Sequence, residues 1–253
     1  MKQVIAKQNT WCEGRKGLVV DVYTTFLRSL GLRWDPPRYG NPQKLPFIPI
    51  ELEIDQLIAA CRRKLGTFLQ LLKETGMRPG EGWALQWTDL DSARKIIVVN
   101  DPEKGSNPRM LRISEQLVTR LNMLPKTSRY IFREEGKLLT TWTSNFRDRR
   151  KTIAEKLNNP RILKISFKTL RHFKGTVEYH KTKDILHVKE ILGHKSIQNT
   201  LIYIHLEAAI FQTANDEFIV KAANTLEEAT RLLEVGFEYV TDMDGFKLFR
   251  KRK

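Results

Sequence analysis

The stretch "ILGHKSIQNTLIYIH", residues 191–205, ends one helical pattern at Gly193, puts His194 in the turn behind it, and opens a second pattern that carries Tyr203 between isoleucines. Upstream, in "FKTLRHFKGT" (167–176), Lys168, Arg171 and His172 stand at i, i+3 and i+4 and so share one helix face. Further upstream, "TGMRPGEGWALQWTDLD" (75–91) sets Arg78 just past the glycine that stops a helix, with Glu81 three residues on. Taken singly, each residue has an ordinary explanation. Tyr203 reads as a core aromatic, Arg78 as a helix-end cap, Lys168 as a solvated side chain, His172 and His194 as hydrogen-bonded structural histidines, and Glu81 as a first-turn acid. Their joint occurrence at the ends of apolar elements is what calls for a common account.

The chain of 253 residues carries 44 Lys and Arg against 29 Asp and Glu, a formal charge of +15. That excess favours a polyanionic partner, nucleic acid before an acidic membrane surface. The charge is local. Residues 126–195 hold 18 basic and 7 acidic side chains, a net of +11, whereas residues 196–253 come to −2. Cys12 and Cys61 show neither metal-ligand spacing nor a disulfide framework. The start, "MKQVIAKQNTW", is too polar for a signal peptide, and no apolar run approaches the roughly 18 residues of a membrane span. A soluble, cytoplasmic protein with no membrane partner is expected.

Several chemistries lack their sequence support: there is no G-x-x-x-x-G-K-[ST] loop, no H-E-x-x-H, no C-x-x-C and no G-x-S-x-G. Phosphodiester cleavage by tyrosine would use what is present. Two guanidinium forks suit the phosphate oxygens and stay charged at pH 7. A phenol titrating near pKa ~10 needs neighbouring cations or a base before it can attack. The departing 5′-oxygen needs a proton, which a lysine can give, typically worth on the order of 10²–10⁴ in rate.

The three quoted segments, in this order and spacing, resemble the signature boxes of the tyrosine recombinases, or phage integrases, over roughly residues 47–210. The resemblance implies that Arg78 and Arg171 clamp the scissile phosphate, His194 bonds a non-bridging oxygen, and Tyr203 forms a 3′-phosphotyrosyl link. It makes Lys104, near the tip of an expected hairpin, the general acid, in preference to Lys95 at the strand entry. Glu81 would orient neighbouring basic groups, and His172 would support. Where many members carry histidine three residues before the second arginine this chain has Lys168, whose role as base or phosphate contact stays open. Arg147, Arg149, Arg150 and Lys151, in "NFRDRRKTIAEKL", are expected on the DNA backbone. The partners implied are double-stranded DNA, further copies of the chain in a tetramer on paired sites, and accessory DNA-bending proteins; no metal or other cofactor is implied.

The expected fold is α+β, mainly α, with a small antiparallel sheet. Residues 1–40 read as a short helical remnant of a core-binding domain, followed by prolines at 36, 37, 42, 46 and 49; residues 41–210 as the catalytic domain; residues 211–253 as an extension. Helices are expected over 16–31, over 50–63 and 65–76, over 115–124, 140–157, 167–179 and 184–192, and from Thr200 to near Asn224. "KIIVVND" and "RMLRIS" should pair as a hairpin, and "FEYVTDMDGFKLFRKRK" as another about its Asp-Gly pair. Three rival readings stay open: a relaxase resembling type IB topoisomerases, a decayed integrase that only binds DNA, and a structural protein with incidental positive charge.

Overall fold

The fold is that of a computed structural model, which describes residues 1–40, 45–134, 136–211, 218–243 and 245–252. The chain divides into two compact units, Met1–Phe47 and Ile48–Lys253. In the first, helices α1 (Lys2–Ala6) and α2 (Glu13–Ser29) are followed by an extended segment. Trp34 holds that segment to α2, standing edge-on to Tyr23 at 4.9 Å and donating its indole N–H to Thr24 Oγ1 at 3.0 Å.

The second unit starts with α3 (Glu51–Ala60) and α4 (Arg63–Thr75). α4 is amphipathic, and its Phe68, Leu69, Leu71 and Leu72 are all fully buried. Each such side chain contributes roughly 1.5–3 kcal/mol of transfer free energy. Phe68 is the hub of an aromatic core, with Phe132, Trp142 and Phe167 edge-on to it at 5.0 to 5.4 Å. α4 stops at Gly76, whose left-handed φ of 62° turns the chain into the short helix α5 (Pro79–Ala84).

Strands β1 (Leu90–Asp91), β2 (Ile96–Val99) and β3 (Arg109–Arg112) form an antiparallel sheet in that order, so the first expected hairpin is present. The turn Glu103–Gly105 lies at its tip. Five more helices follow: α6 (Glu115–Asn122), α7 (Leu139–Lys156), α8 (Phe167–Thr182), α9 (Ile185–Leu192) and α10 (Gln198–Phe211). α8 is central, lying against both α4 and α10. Among the described residues no helix is long and apolar enough to cross a membrane.

The C-terminal part departs from expectation. The helix from Thr200 does not run on to Asn224: α10 ends at Phe211, and Phe218–Ala223 is strand β4. Helix α11 (Leu226–Glu234) and strands β5 (Glu238–Met243) and β6 (Phe246–Arg252) follow, and the second sheet has the order β4-β6-β5. The β5–β6 hairpin matches the sequence pattern. β4 joins it because Lys221 and Ala223 stand opposite Phe249 and Lys247, letting Ala223 and Phe249 close a small core with Ala229 and Phe237. That long-range pairing, rather than local helix propensity, decides residues 218–223.

Candidate active site

The candidate site gathers residues from the Gly76 and Gly193 turns around α8. Arg78 is the residue ahead of α5, and its backbone N–H donates to Glu81 Oε2 at 2.7 Å. Its guanidinium donates to Glu81 Oε1 at 3.2 Å and to Ser106 Oγ, the residue just past the hairpin-tip turn. Arg171, on α8, is 7% exposed. It spans the first and third sequence boxes, donating to Gly76 O at 2.8 Å and Leu192 O at 2.6 Å. Burial, followed by the charge of Arg78, pulls its pKa down to about 10, so it stays a cation at pH 7.

His194 follows Gly193, which ends α9 with φ of 67°. The ring Nδ1 meets Thr200 Oγ1 at 2.9 Å, which fixes the imidazole and leaves Nε2 as its other polar edge. Tyr203 is 1% exposed and packs with Val188, Leu192 and Leu206. A methyl group on Gly175 of α8 would come within 2.6 Å of the Tyr203 ring, so this glycine is the bare spot that admits the phenol. The Tyr203 hydroxyl lies 3.4 Å from His172 Nδ1. Burial pushes the phenol up to about 12, against the opposing pull of Arg171 and Arg78.

Both histidines are driven the other way. Burial holds His172 at about 4, helped by the charges of Lys168 and Arg171. Burial also holds His194 at about 4, helped by Arg171, Arg78 and Arg109. An unfolded histidine titrates near 6.5, so between about pH 4 and 6.5 the unfolded chain binds more protons than the folded one. The stability these neutral rings contribute is therefore complete above about pH 6.5 and is lost as pH falls towards 4. Melting temperature followed from pH 7.5 to 5 should fall on the acid side, and a flat profile would contradict the burial of these rings.

Lys104 is exposed at the centre of the hairpin-tip turn, with a left-handed φ of 55°. The carboxylate of its neighbour Glu103 rests on Gly80, where a methyl group would stand 1.7 Å from Oε1, and so the tip lies against the Arg78 turn. Lys95 points to another task, an ion pair with Glu115. Lys168 is exposed in the first turn of α8 and lines a cavity of about 350 Å³ with Pro79, Arg147 and Arg150. Arg147, Arg149 and Lys151 are exposed, but Arg150 is half-buried: it donates to Ile165 O and lies over the Phe146 ring. Arg149 lines a different cavity with Arg62 and Trp142, so the four α7 residues expected on the DNA backbone do not share one face.

Sequence reasoning missed Arg109. Its side chain is 6% exposed and donates to Glu81 Oε2 at 2.6 Å and to Oε1 at 3.4 Å; the Glu81 side chain is fully buried. The Arg109 fork holds the Glu81 carboxyl below its ordinary range in spite of burial. The signal was there in the strand period. Arg109 shares the inward face of its strand with buried Leu111 and Ile113. Thr200 and Ser106, which anchor His194 and Arg78, carried no comparable mark.

The pattern of the phage integrase family matches residues 51–209, which takes in every residue of this site. The chain belongs to the phage integrase family. This integrase-family chain is 27% identical over 201 residues to tyrosine recombinase XerC of Pediococcus pentosaceus, an alignment covering 72% of it and 65% of that protein. With tyrosine recombinase XerA of Saccharolobus solfataricus it shares 26% identity over 185 residues, covering 72% and 60%. It thus spans less than two thirds of the length of either relative. A crystal structure of XerA recombinase superposes with TM-score 0.55 at 23% identity, covering 84% of this chain and 81% of that one. The Tn1549 transposon integrase in complex with transposon right end DNA superposes with TM-score 0.62 at 14% identity, covering 91% and 81%. At these identities the superpositions show the shared integrase-family fold.

Proposed function

We propose that this protein cleaves and rejoins DNA strands site-specifically through a 3′-phosphotyrosine intermediate. The observation that carries this reading is the convergence of Arg78, Arg171, His172 and His194 on one side of α8, with the Tyr203 hydroxyl facing His172 and feeling both arginines. The two guanidinium groups and His194 Nε2 receive the non-bridging oxygens of the scissile phosphate. Tyr203 Oη attacks phosphorus, its proton leaving towards the His172 ring nitrogen 3.4 Å away. The P–O5′ bond breaks, and the departing 5′-oxygen takes a proton from Lys104. Exposed Lys168 adds a cation beside the phosphate. Attack by a 5′-hydroxyl of another strand reverses the steps, so neither ATP nor a metal enters the balance.

Duplex DNA is the substrate in this reading, bound through the basic segment around α7. The reading extends to a homotetramer on paired sites, aided by DNA-bending proteins and acting on the nucleoid of a cell. Residues 41–210 do the chemistry, flanked by segments 1–40 and 211–253. The test is a nicked suicide duplex from the candidate attachment region, incubated with the protein in EDTA and run on a denaturing gel. A covalent protein–DNA adduct is expected. A duplex that is bound yet never joined to protein would replace this reading with that of a DNA-binding remnant.

A further inference from the structure

We infer that Arg109 is a positioning residue of the strand-cleavage reaction, setting the hairpin that presents Lys104 over the phosphate clamp. The inference rests on the proposed function and adds a residue to it. Arg109 differs from Arg171 in its partner: both of its NH groups donate to the buried Glu81 carboxylate, which neutralises its charge, whereas Arg171 donates to neutral carbonyls and keeps its charge for a phosphate. Its position joins three parts of the site. It stands on the strand descending from Lys104, its partner Glu81 also receives both the backbone and the guanidinium of Arg78, and its NH1 fills the space left by Gly193. A methyl group on Gly193 would stand 2.9 Å from that NH1, so the turn before His194 is shaped around the guanidinium. Beside it, Asn107 N–H donates to Gly193 O at 3.3 Å.

The other ties of Arg78 to Glu81 are local, three residues apart, and survive without Arg109. Losing Arg109 therefore frees the hairpin more than the clamp. The deficit should lie in protonation of the leaving group, not in phosphate binding. Wild type, Arg109→Met, Arg109→Lys and Lys104→Ala are compared on two nicked duplexes, one ordinary and one with sulfur in place of the bridging 5′-oxygen. Breaking the P–S bond releases a thiolate, which is stable near neutral pH because thiols titrate near ~8.5 and so needs no general acid.

On the ordinary duplex, Arg109→Met and Lys104→Ala should both cleave slower by on the order of 10²–10⁴, the usual range for lost acid catalysis. Arg109→Lys, which keeps the charge but not the fork, should lose less. On the sulfur duplex, all three should return to within about tenfold of wild type. A thermal melt and a duplex-binding titration establish that each variant is folded, and if Arg109→Met is not, the same ratio is read on Arg109→Lys. An equal deficit on both duplexes would overturn the inference by leaving Arg109 a merely structural role, as would failure of sulfur to rescue Lys104→Ala. Failure of wild type to form adduct on either duplex would instead remove the strand-cleavage reading itself.

Discussion

A Tyr203→Phe protein should fold, bind duplex DNA as wild type does, and form no covalent adduct on the suicide substrate. The expectation of folding comes from the packing. The ring, which Phe retains, supplies the contacts with Val188, Leu192 and Leu206 and fills the space over Gly175. The hydroxyl makes one long contact, 3.4 Å to His172 Nδ1, so its loss should change stability by no more than about 1 kcal/mol. The chemistry, by contrast, has no substitute oxygen. Adduct should fall below detection, a loss that no other single change should exceed. A persistent adduct in the variant would move the nucleophile elsewhere, with half-buried Tyr179 on α8, which packs against the same cluster, the alternative to test.

Arg171→Ala should fail differently, in stability and chemistry together. Two carbonyl oxygens, of Gly76 and Leu192, would lose a buried donor, at about 1–3 kcal/mol for each group left unsatisfied. The phosphate would lose one of its two forks, which by analogy with removal of an oxyanion donor costs on the order of 10²–10³ in rate. Arg171→Lys should repair little, because one ammonium cannot serve two carbonyls 116 sequence positions apart while also presenting a planar fork to phosphate. The measurements are a denaturant melt and single-turnover cleavage. Wild-type stability with lost cleavage would show that the carbonyls find other donors.

Most of the candidate site was legible because its residues sit in short segments whose chemistry is local. A glycine ends a helix, a basic or nucleophilic residue follows, and apolar neighbours fix which way it faces. Lys168, Arg171 and His172 could be placed on one face from spacing alone. What could not be read depends on partners far along the chain. Arg109 gains meaning only when β3 is laid beside α5, and Arg150 turns inward only because the loop before α8 offers the Ile165 carbonyl. Strand β4 was read as helix for the same reason: six residues with Ile, Val and two alanines carry no decisive period until β6 pairs with them.

The double grip of Arg171 also bears on how such a chain could lose its activity over generations. A residue that staples two turns of the fold, as well as holding the phosphate in the proposed reaction, is shielded from neutral drift, since any replacement weakens the protein before it disarms it. Tyr203 and exposed Lys104 have no such protection: Phe at the first or a small residue at the second leaves the packing intact. Inactive descendants of this sequence should therefore be found with their arginine in place and their nucleophile or acid gone.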